Sequence, residues 1–116
     1  MSGEKFDFEG FLEFIKSQNE YFVRKDSSST HSERIFSQLA KLMEECGEFA
    51  GEVFVHLKSA RDDKIRDNPA ELAAECADAI IVLFLLADRL GIDIKKALGA
   101  KAKIVKDRRA ADLGAR

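Results

Sequence analysis

The 116-residue chain contains a single proline, Pro69, and only seven glycines. These residues are the main turn formers, so the sequence offers few of the turns that a fold of many short strands needs. Apolar residues instead recur at helical spacing over most of its length. With 46% apolar and 34% charged residues, the composition is that of a soluble globular protein rather than a disordered one. We therefore predict a single all-α domain over residues 1–116.

Local capping signals divide the chain into four predicted helices, over residues 7–25, 31–57, 69–90 and 94–109. Short polar side chains suit the position before each helix, where they accept hydrogen bonds from free backbone N–H groups. These caps are Asp7, Thr30 paired with Glu33, Asn68, and Asp93, and Gly91 is the expected stop of the third helix. The final segment, residues 111–116, is weakly specified and is expected to fray.

The third predicted helix contains the longest apolar run, residues 79–87. At nine residues the run is about half of what a membrane crossing needs, so we expect a buried helix at the centre of the fold. A helix that is apolar on every side favours coverage by a partner subunit. The first residues lack an export signal, which predicts a cytoplasmic protein, and a net charge of −2 argues against a nucleic-acid polymer as partner.

An apolar stripe along the second predicted helix is expected to face the core. Its members are Ile35, Leu39, Leu42, Cys46, Phe49, Ala50, Val53 and Leu57. Cys46 and Cys76 both lie at helical positions among small or apolar neighbours. We interpret them as small core residues that remain reduced rather than as a disulfide.

Two acidic pairs stand out beside this apolar pattern. Glu45 and Glu48 lie about 60° apart on one helix face, and Glu75 and Asp78 do so on another. Single pairs of this kind are common on solvated helix faces. Here the second pair opens the most hydrophobic helix, where carboxylates are costly unless they share protons or hold a divalent cation. Oxygen ligands favour Mg²⁺ or Mn²⁺, and Glu44 lies close enough to serve the same site from its edge.

Other catalytic patterns are missing from the sequence. His31 and His56 do not have the spacing of a helical metal pair, and no Glu-x-x-His occurs, which argues against a di-iron bundle. Without a glycine-rich phosphate loop, phosphate recognition must come from metal and side chains. On the basic fourth helix, the candidates for substrate binding are Lys103, Arg108 and Arg109, although a solvated basic face would give the same pattern.

The acidic pattern resembles the signature of the MazG-like all-α nucleotide pyrophosphohydrolases. It reads Glu-Glu-Cys-Gly-Glu at residues 44–48, followed after 26 residues by Glu-Cys-Ala-Asp-Ala-Ile-Ile at residues 75–81. The resemblance extends over about residues 39–93. It implies a four-helix unit assembled as a homodimer or dimer of dimers. The chain departs from the family in the last helix, where Asp107 stands in place of an expected asparagine.

The same resemblance implies Mg²⁺-dependent cleavage of a nucleoside triphosphate to the monophosphate and pyrophosphate. It implies the metal ligands Glu45, Glu48, Glu75 and Asp78. Glu44 and Glu45 are the first candidates to orient or deprotonate the attacking water. Two alternatives remain open: a phosphoribosyl-ATP pyrophosphatase, and a non-enzymatic helical oligomerisation or regulatory module with a vestigial metal site.

Overall fold

A computed structural model describes residues 5–114, which form four helices and no strands. In chain order they are α1 (Phe8–Lys25), α2 (His31–Ser59), α3 (Pro69–Arg89) and α4 (Ile94–Gly114). The all-α, four-helix prediction is confirmed. Within the described range, no helix combines the length and apolar character needed to cross a membrane.

The predicted caps open each helix. Asp7 accepts a hydrogen bond from the Gly10 N–H at 3.2 Å, and Asn68 accepts one from the Glu71 N–H at 3.1 Å. Thr30 and Glu33 each accept from the other's backbone N–H at 3.1 Å, which completes the capping box of α2. Asp93 accepts from the Lys96 N–H at 3.2 Å ahead of α4. These bonds satisfy backbone donors that have no partner within the helix.

The end of α3 is a tight turn at Gly91. The Ile92 N–H donates to the Ala87 carbonyl and the Gly91 N–H to the Asp88 carbonyl, both at 3.0 Å. This pair of bonds is the Schellman pattern, which needs one residue in the left-handed region. Gly91 supplies it with a φ of 73°, and α4 begins three residues later.

Two helices, α2 and α4, extend further towards the C-terminus than predicted. α2 continues from residue 57 to Ser59, and α4 continues from residue 109 to Gly114. The expected fraying of residues 111–116 is wrong for residues 111–114, which continue the helix, and residues 115 and 116 lie outside the described residues. Residues 110–113 are Ala-Ala-Asp-Leu, which contains no helix breaker, so the helix continues past residue 109.

α3 lies at the centre of the chain, as predicted. It supplies most of the buried apolar side chains: Val82, Leu85, Leu86 and Ala87. From α1, Ile15 is 2% exposed, and the Phe11 ring meets Phe84 of α3 edge-on with ring centroids 5.1 Å apart. α2 packs along the other side of α3. The core is therefore a three-helix layer built on α3.

The predicted apolar stripe of α2 is only partly covered in this chain. Leu39 and Leu57 are 43% and 55% exposed, and Cys46 is exposed as well. The expectation that Cys46 is a core residue is wrong, because α3 alone covers too narrow a face of α2. Cys46 and Cys76 are both free thiols, as expected.

α4 extends away from the other helices. Its backbone approaches only α3, and every described residue after Ile94 in it is exposed. The radius of gyration is 18.4 Å, well above the roughly 13 Å of a compact domain of 100 residues. Apolar side chains on α2 and α4 consequently remain open to solvent, among them Phe36, Met43, Phe54, Leu98, Ile104 and Val105.

Candidate functional site

Three of the predicted metal ligands converge where α2 faces α3. Glu45, Glu48 and Glu75 each place a carboxylate oxygen within 4.8 Å of the others, and we call this group the acidic cluster. Glu45 and Glu48 come from consecutive turns of α2, and Glu75 reaches across from α3. Asp78, predicted as the fourth ligand, is exposed and lies outside this group.

Glu45 is the buried member of the acidic cluster, with only 7% of the residue exposed. Its Oε1 accepts a hydrogen bond from the Lys41 Nζ at 3.1 Å, while its Oε2 is buried and has no hydrogen-bond partner. An unsatisfied buried carboxylate oxygen carries a desolvation penalty. A ligand that binds to this oxygen would remove the penalty.

Glu75 shows the effect of crowding among the carboxylates. A hydrogen bond with Glu71, desolvation and the charge of Glu48 together raise the pKa of Glu75 to about 7. Its Oε2 is also buried without a partner. Without a cation, the acidic cluster therefore retains a proton near neutral pH. A bound cation would favour the charged carboxylate and release that proton.

Lys41 is the cation next to the acidic cluster. Its hydrogen bond to Glu45 and the charge of Glu44, 3.5 Å from the Lys41 Nζ, raise the pKa of Lys41. The side chain of Glu44 is 57% exposed, in contrast to its buried neighbour Glu45. The two adjacent glutamates therefore differ in exposure: Glu45 is buried and held by Lys41, whereas the Glu44 side chain reaches solvent.

A cavity of about 730 Å³ begins beside Lys41 and Glu44 and runs towards the start of α2. Its walls come from the end of α1, the following loop, the first half of α2 and the second half of α3. They include Phe22, Lys25, Asp26, Ser29, Arg34, Gln38, Val82, Leu85 and Arg89. Apolar walls with a few converging polar groups are typical of small-molecule sites, and this volume lies within their usual range.

A hydrogen-bond network centred on Asn19 supports the far end of the cavity. Asn19 is 4% exposed, and its Nδ2 donates to the Leu85 carbonyl at 3.0 Å and to Asp88 Oδ2 at 2.8 Å. Its Oδ1 accepts from Gln38 Nε2 at 2.7 Å and from Arg89 Nη2 at 3.0 Å. One side chain of α1 is thereby bonded to both α2 and α3.

The donor and acceptor of each hydrogen bond in this network are fixed. The Leu85 carbonyl can only accept a hydrogen bond, so the amide nitrogen of Asn19 must face it. The Asn19 oxygen then faces Gln38, and Gln38 must present its own nitrogen in return. Since these orientations follow from a backbone group, Arg89 and Gln38 are held in one arrangement at the cavity wall.

The predicted substrate-binding cations lie elsewhere. Lys103, Arg108 and Arg109 are exposed on α4, and none of them lines the cavity. Lys103 forms an ion pair with Asp107 at 2.7 Å. Within this chain, the structure does not bring these residues to the acidic cluster, and their assignment to substrate stays a prediction.

Several residues of the site were not predicted from the sequence. Glu71 was not predicted as part of the site, although its spacing of four residues from Glu75 places both on one face of α3. Asn19, Gln38, Arg34 and Arg89 gave no signal. Asn19 and Arg89 are 70 residues apart in sequence, so no local motif could connect them.

Comparison with known proteins adds no further assignment. No family model, curated protein or solved structure matches this chain. The likeness to the MazG-like pyrophosphohydrolases therefore remains a prediction from the acidic motif.

Proposed function

We propose that the chain is a cytoplasmic, Mg²⁺-dependent nucleoside triphosphate pyrophosphohydrolase that releases the monophosphate and pyrophosphate. The observation that carries the proposal is the buried, unpartnered Oε2 of Glu45 within the acidic cluster. Carboxylate oxygens without partners are the donor set that a hard divalent cation requires. The adjoining cavity of about 730 Å³ is large enough for a nucleotide.

Glu45, Glu48 and Glu75 are the proposed ligands of Mg²⁺, or of Mn²⁺, and Asp78 on the next turn of α3 is the fourth candidate. Such an ion neutralises phosphate charge and lowers the pKa of a bound water. Lys41 fixes the orientation of Glu45 through its Oε1, which leaves the Oε2 for binding. Glu44 borders the cavity and is exposed, so its carboxylate is the better placed of the two predicted bases to accept a proton from water.

We also propose that the working form is a homodimer or a dimer of dimers. Supporting this, α2 and α4 expose many apolar side chains, and every described residue of α4 after Ile94 is exposed. Light scattering should give a mass of at least twice the 13.0 kDa of one chain. A mass of one chain at working concentration would contradict the proposal.

The activity is tested by a pyrophosphate-release screen across canonical, deoxy and modified nucleoside triphosphates, with Mg²⁺ and with excess chelator. We expect stoichiometric pyrophosphate and monophosphate from at least one nucleotide, and no release in chelator. Release from phosphoribosyl-ATP alone would favour the phosphoribosyl-ATP pyrophosphatase alternative. Binding of Mg²⁺ without turnover of any substrate would favour the non-enzymatic module.

A further inference from the structure

Arg34 and Arg89 form a pair of like charges at the end of the cavity that lies away from the acidic cluster. Arg34 comes from the start of α2 and Arg89 from the end of α3, and both line the cavity. Along α2, Arg34 precedes Glu45 by 11 residues, which corresponds to roughly 16 Å along the helix axis. The arginine pair is therefore well separated from the other end of the cavity, where Lys41 and Glu44 border the acidic cluster.

Each guanidinium group is held by neutral acceptors. Arg34 Nη2 donates to the Asp26 carbonyl at 2.9 Å, and Arg89 Nη2 donates to the Asn19 Oδ1 at 3.0 Å. Neither arginine has a carboxylate within ion-pair distance among residues 5–114. Both side chains are partly buried, and the Nε of each is buried without a hydrogen-bond partner.

The nearby carboxylates offset this pair only in part. Hydrogen bonds, and to a lesser extent the charge of Arg34, lower the pKa of Asp26 and of Glu33, which both line the cavity. Asp26 accepts hydrogen bonds from the hydroxyl groups of Ser28 and Ser29 in its own loop. Asp88 accepts from the Asn19 amide. Burial and the charge of Arg34 lower the pKa of Arg89 despite the opposing effect of Asp88. The repulsion between the guanidinium groups is therefore only partly offset within the chain.

We propose that Arg34 and Arg89 form a binding site for a phosphate oxyanion at this end of the cavity. Guanidinium groups bind phosphate through paired N–H donors with matching geometry. A phosphate in the cavity beside the two would accept hydrogen bonds from their remaining guanidinium N–H donors and offset their repulsion. The phosphate is either a group on a bound nucleotide remote from its metal-bound phosphates, or a free phosphate or pyrophosphate.

The site is tested with inorganic phosphate and pyrophosphate by calorimetric titration of the full chain in chelator, which keeps cations off the acidic cluster. We expect saturable binding that Arg34→Gln weakens by about tenfold or more, since charge-assisted hydrogen bonds are lost. Arg34→Lys, which keeps the charge without the planar fork, should weaken binding less. The matched control is Arg61→Gln, because Arg61 is exposed in the connection after α2 and does not line the cavity.

A second comparison identifies the source of the phosphate. If adenosine 3′,5′-bisphosphate binds more tightly than the 5′-monophosphate, and Arg34→Gln removes that gain, the ligand is a remote phosphate of a nucleotide. If both nucleotides bind equally while free phosphate or pyrophosphate binds in an Arg34-dependent way, the ligand is the free anion.

The proposal is overturned if neither the free anions nor adenosine 3′,5′-bisphosphate binds saturably, or if the folded Arg34→Gln and Arg34→Lys variants bind all of them as the unaltered chain does. It is also overturned if a nucleoside without phosphate depends on Arg34 for binding, since that would indicate recognition of the base. Binding is measured here without metal or turnover, so the result does not depend on whether the chain is a pyrophosphohydrolase.

Discussion

The acidic cluster and the arginine end of the cavity both bring like charges together, but they contribute differently to the stability of the fold. In the acidic cluster the charged groups interact directly, and Glu45 and Glu75 each keep a buried oxygen without a partner. At the arginine end, the Asn19 amide links Arg89 and Gln38 to the backbone of α3. The crowded carboxylates thus lower the stability of the fold, whereas the Asn19 network joins the helices of the layer, even though the Nε of Arg34 and of Arg89 has no partner there.

The largest expected effect is on turnover at the acidic end. Glu48→Gln keeps the size of the side chain but removes one charged oxygen ligand of the acidic cluster. We expect a loss of at least a hundredfold in pyrophosphate release at saturating Mg²⁺, corresponding to about 3 kcal/mol of transition-state stabilisation. Single-turnover pyrophosphate release is the measurement, with circular dichroism to confirm the fold.

Glu13→Gln is the matched control for this variant. Glu13 is exposed on α1 and does not line the cavity, so its substitution should leave turnover unchanged. A folded Glu48→Gln protein with a near-native rate would show that Glu48 is not a ligand.

The next largest effect is on stability at the arginine end. Asn19→Leu keeps the number and branching of the side-chain heavy atoms but removes every hydrogen bond made by the Asn19 side chain, which leaves buried polar groups without partners. We expect the free energy of unfolding to fall by roughly 2 to 3 kcal/mol. Urea denaturation measures it, and Gln18→Leu on the same helix is the comparison. Equal stability of the two variants would contradict a structural role for the network.

A smaller effect is the stabilisation of the acidic end by Mg²⁺. A cation that binds only the folded acidic cluster should raise the free energy of unfolding by about 1.4 kcal/mol at ten times its Kd. Thermal unfolding across a Mg²⁺ titration should show a rising Tm that chelator reverses. Glu75→Gln should reduce the rise, and a Tm indifferent to Mg²⁺ in the unaltered chain would count against a metal site.

The smallest effect is the pH dependence of the metal-free protein. The pKa of Glu75 is about 7 in the fold, against a model-peptide value of 4.5, so the folded state holds the proton more tightly than the unfolded state. Linkage then requires stability to fall as pH rises through this interval and to level off above pH 7 or so. Denaturation in chelator should show this decline in the unaltered chain and a flatter profile in Glu75→Gln. If the stability of the unaltered chain and of Glu75→Gln depended on pH in the same way, a raised pKa of Glu75 would be ruled out.

The sequence predicted the parts of the molecule that depend on local patterns. The four caps and the Gly91 stop lie within a few residues of the groups they satisfy, so the helices could be placed before any contact was known. Helical spacing placed Glu45 and Glu48 on one face of α2, but the same reasoning paired Glu75 with Asp78, which lies outside the acidic cluster. The end of α4 was missed because a helix without a breaker continues past the last clear apolar position.

The rest of the site depends on contacts that no local pattern encodes. Asn19 meets Arg89 only after α1 has packed on α3, and the side chains between them in sequence give no hint of the pairing. The exposure of Cys46 was missed for a similar reason. An apolar stripe shows which face of α2 avoids water, but not how much of that face one neighbouring helix can cover.

The turn at Gly91 sets the direction of α4, because little else in the described chain holds that helix. α4 has 21 residues and is therefore about 31 Å long. Over that length, a rotation of about 10° at the turn would displace the far end by roughly 5 Å. The backbone conformation of Gly91, accessible to glycine at little cost, thus fixes the position of the far end of α4. It thereby also fixes the position of any surface that α4 could offer to a second chain.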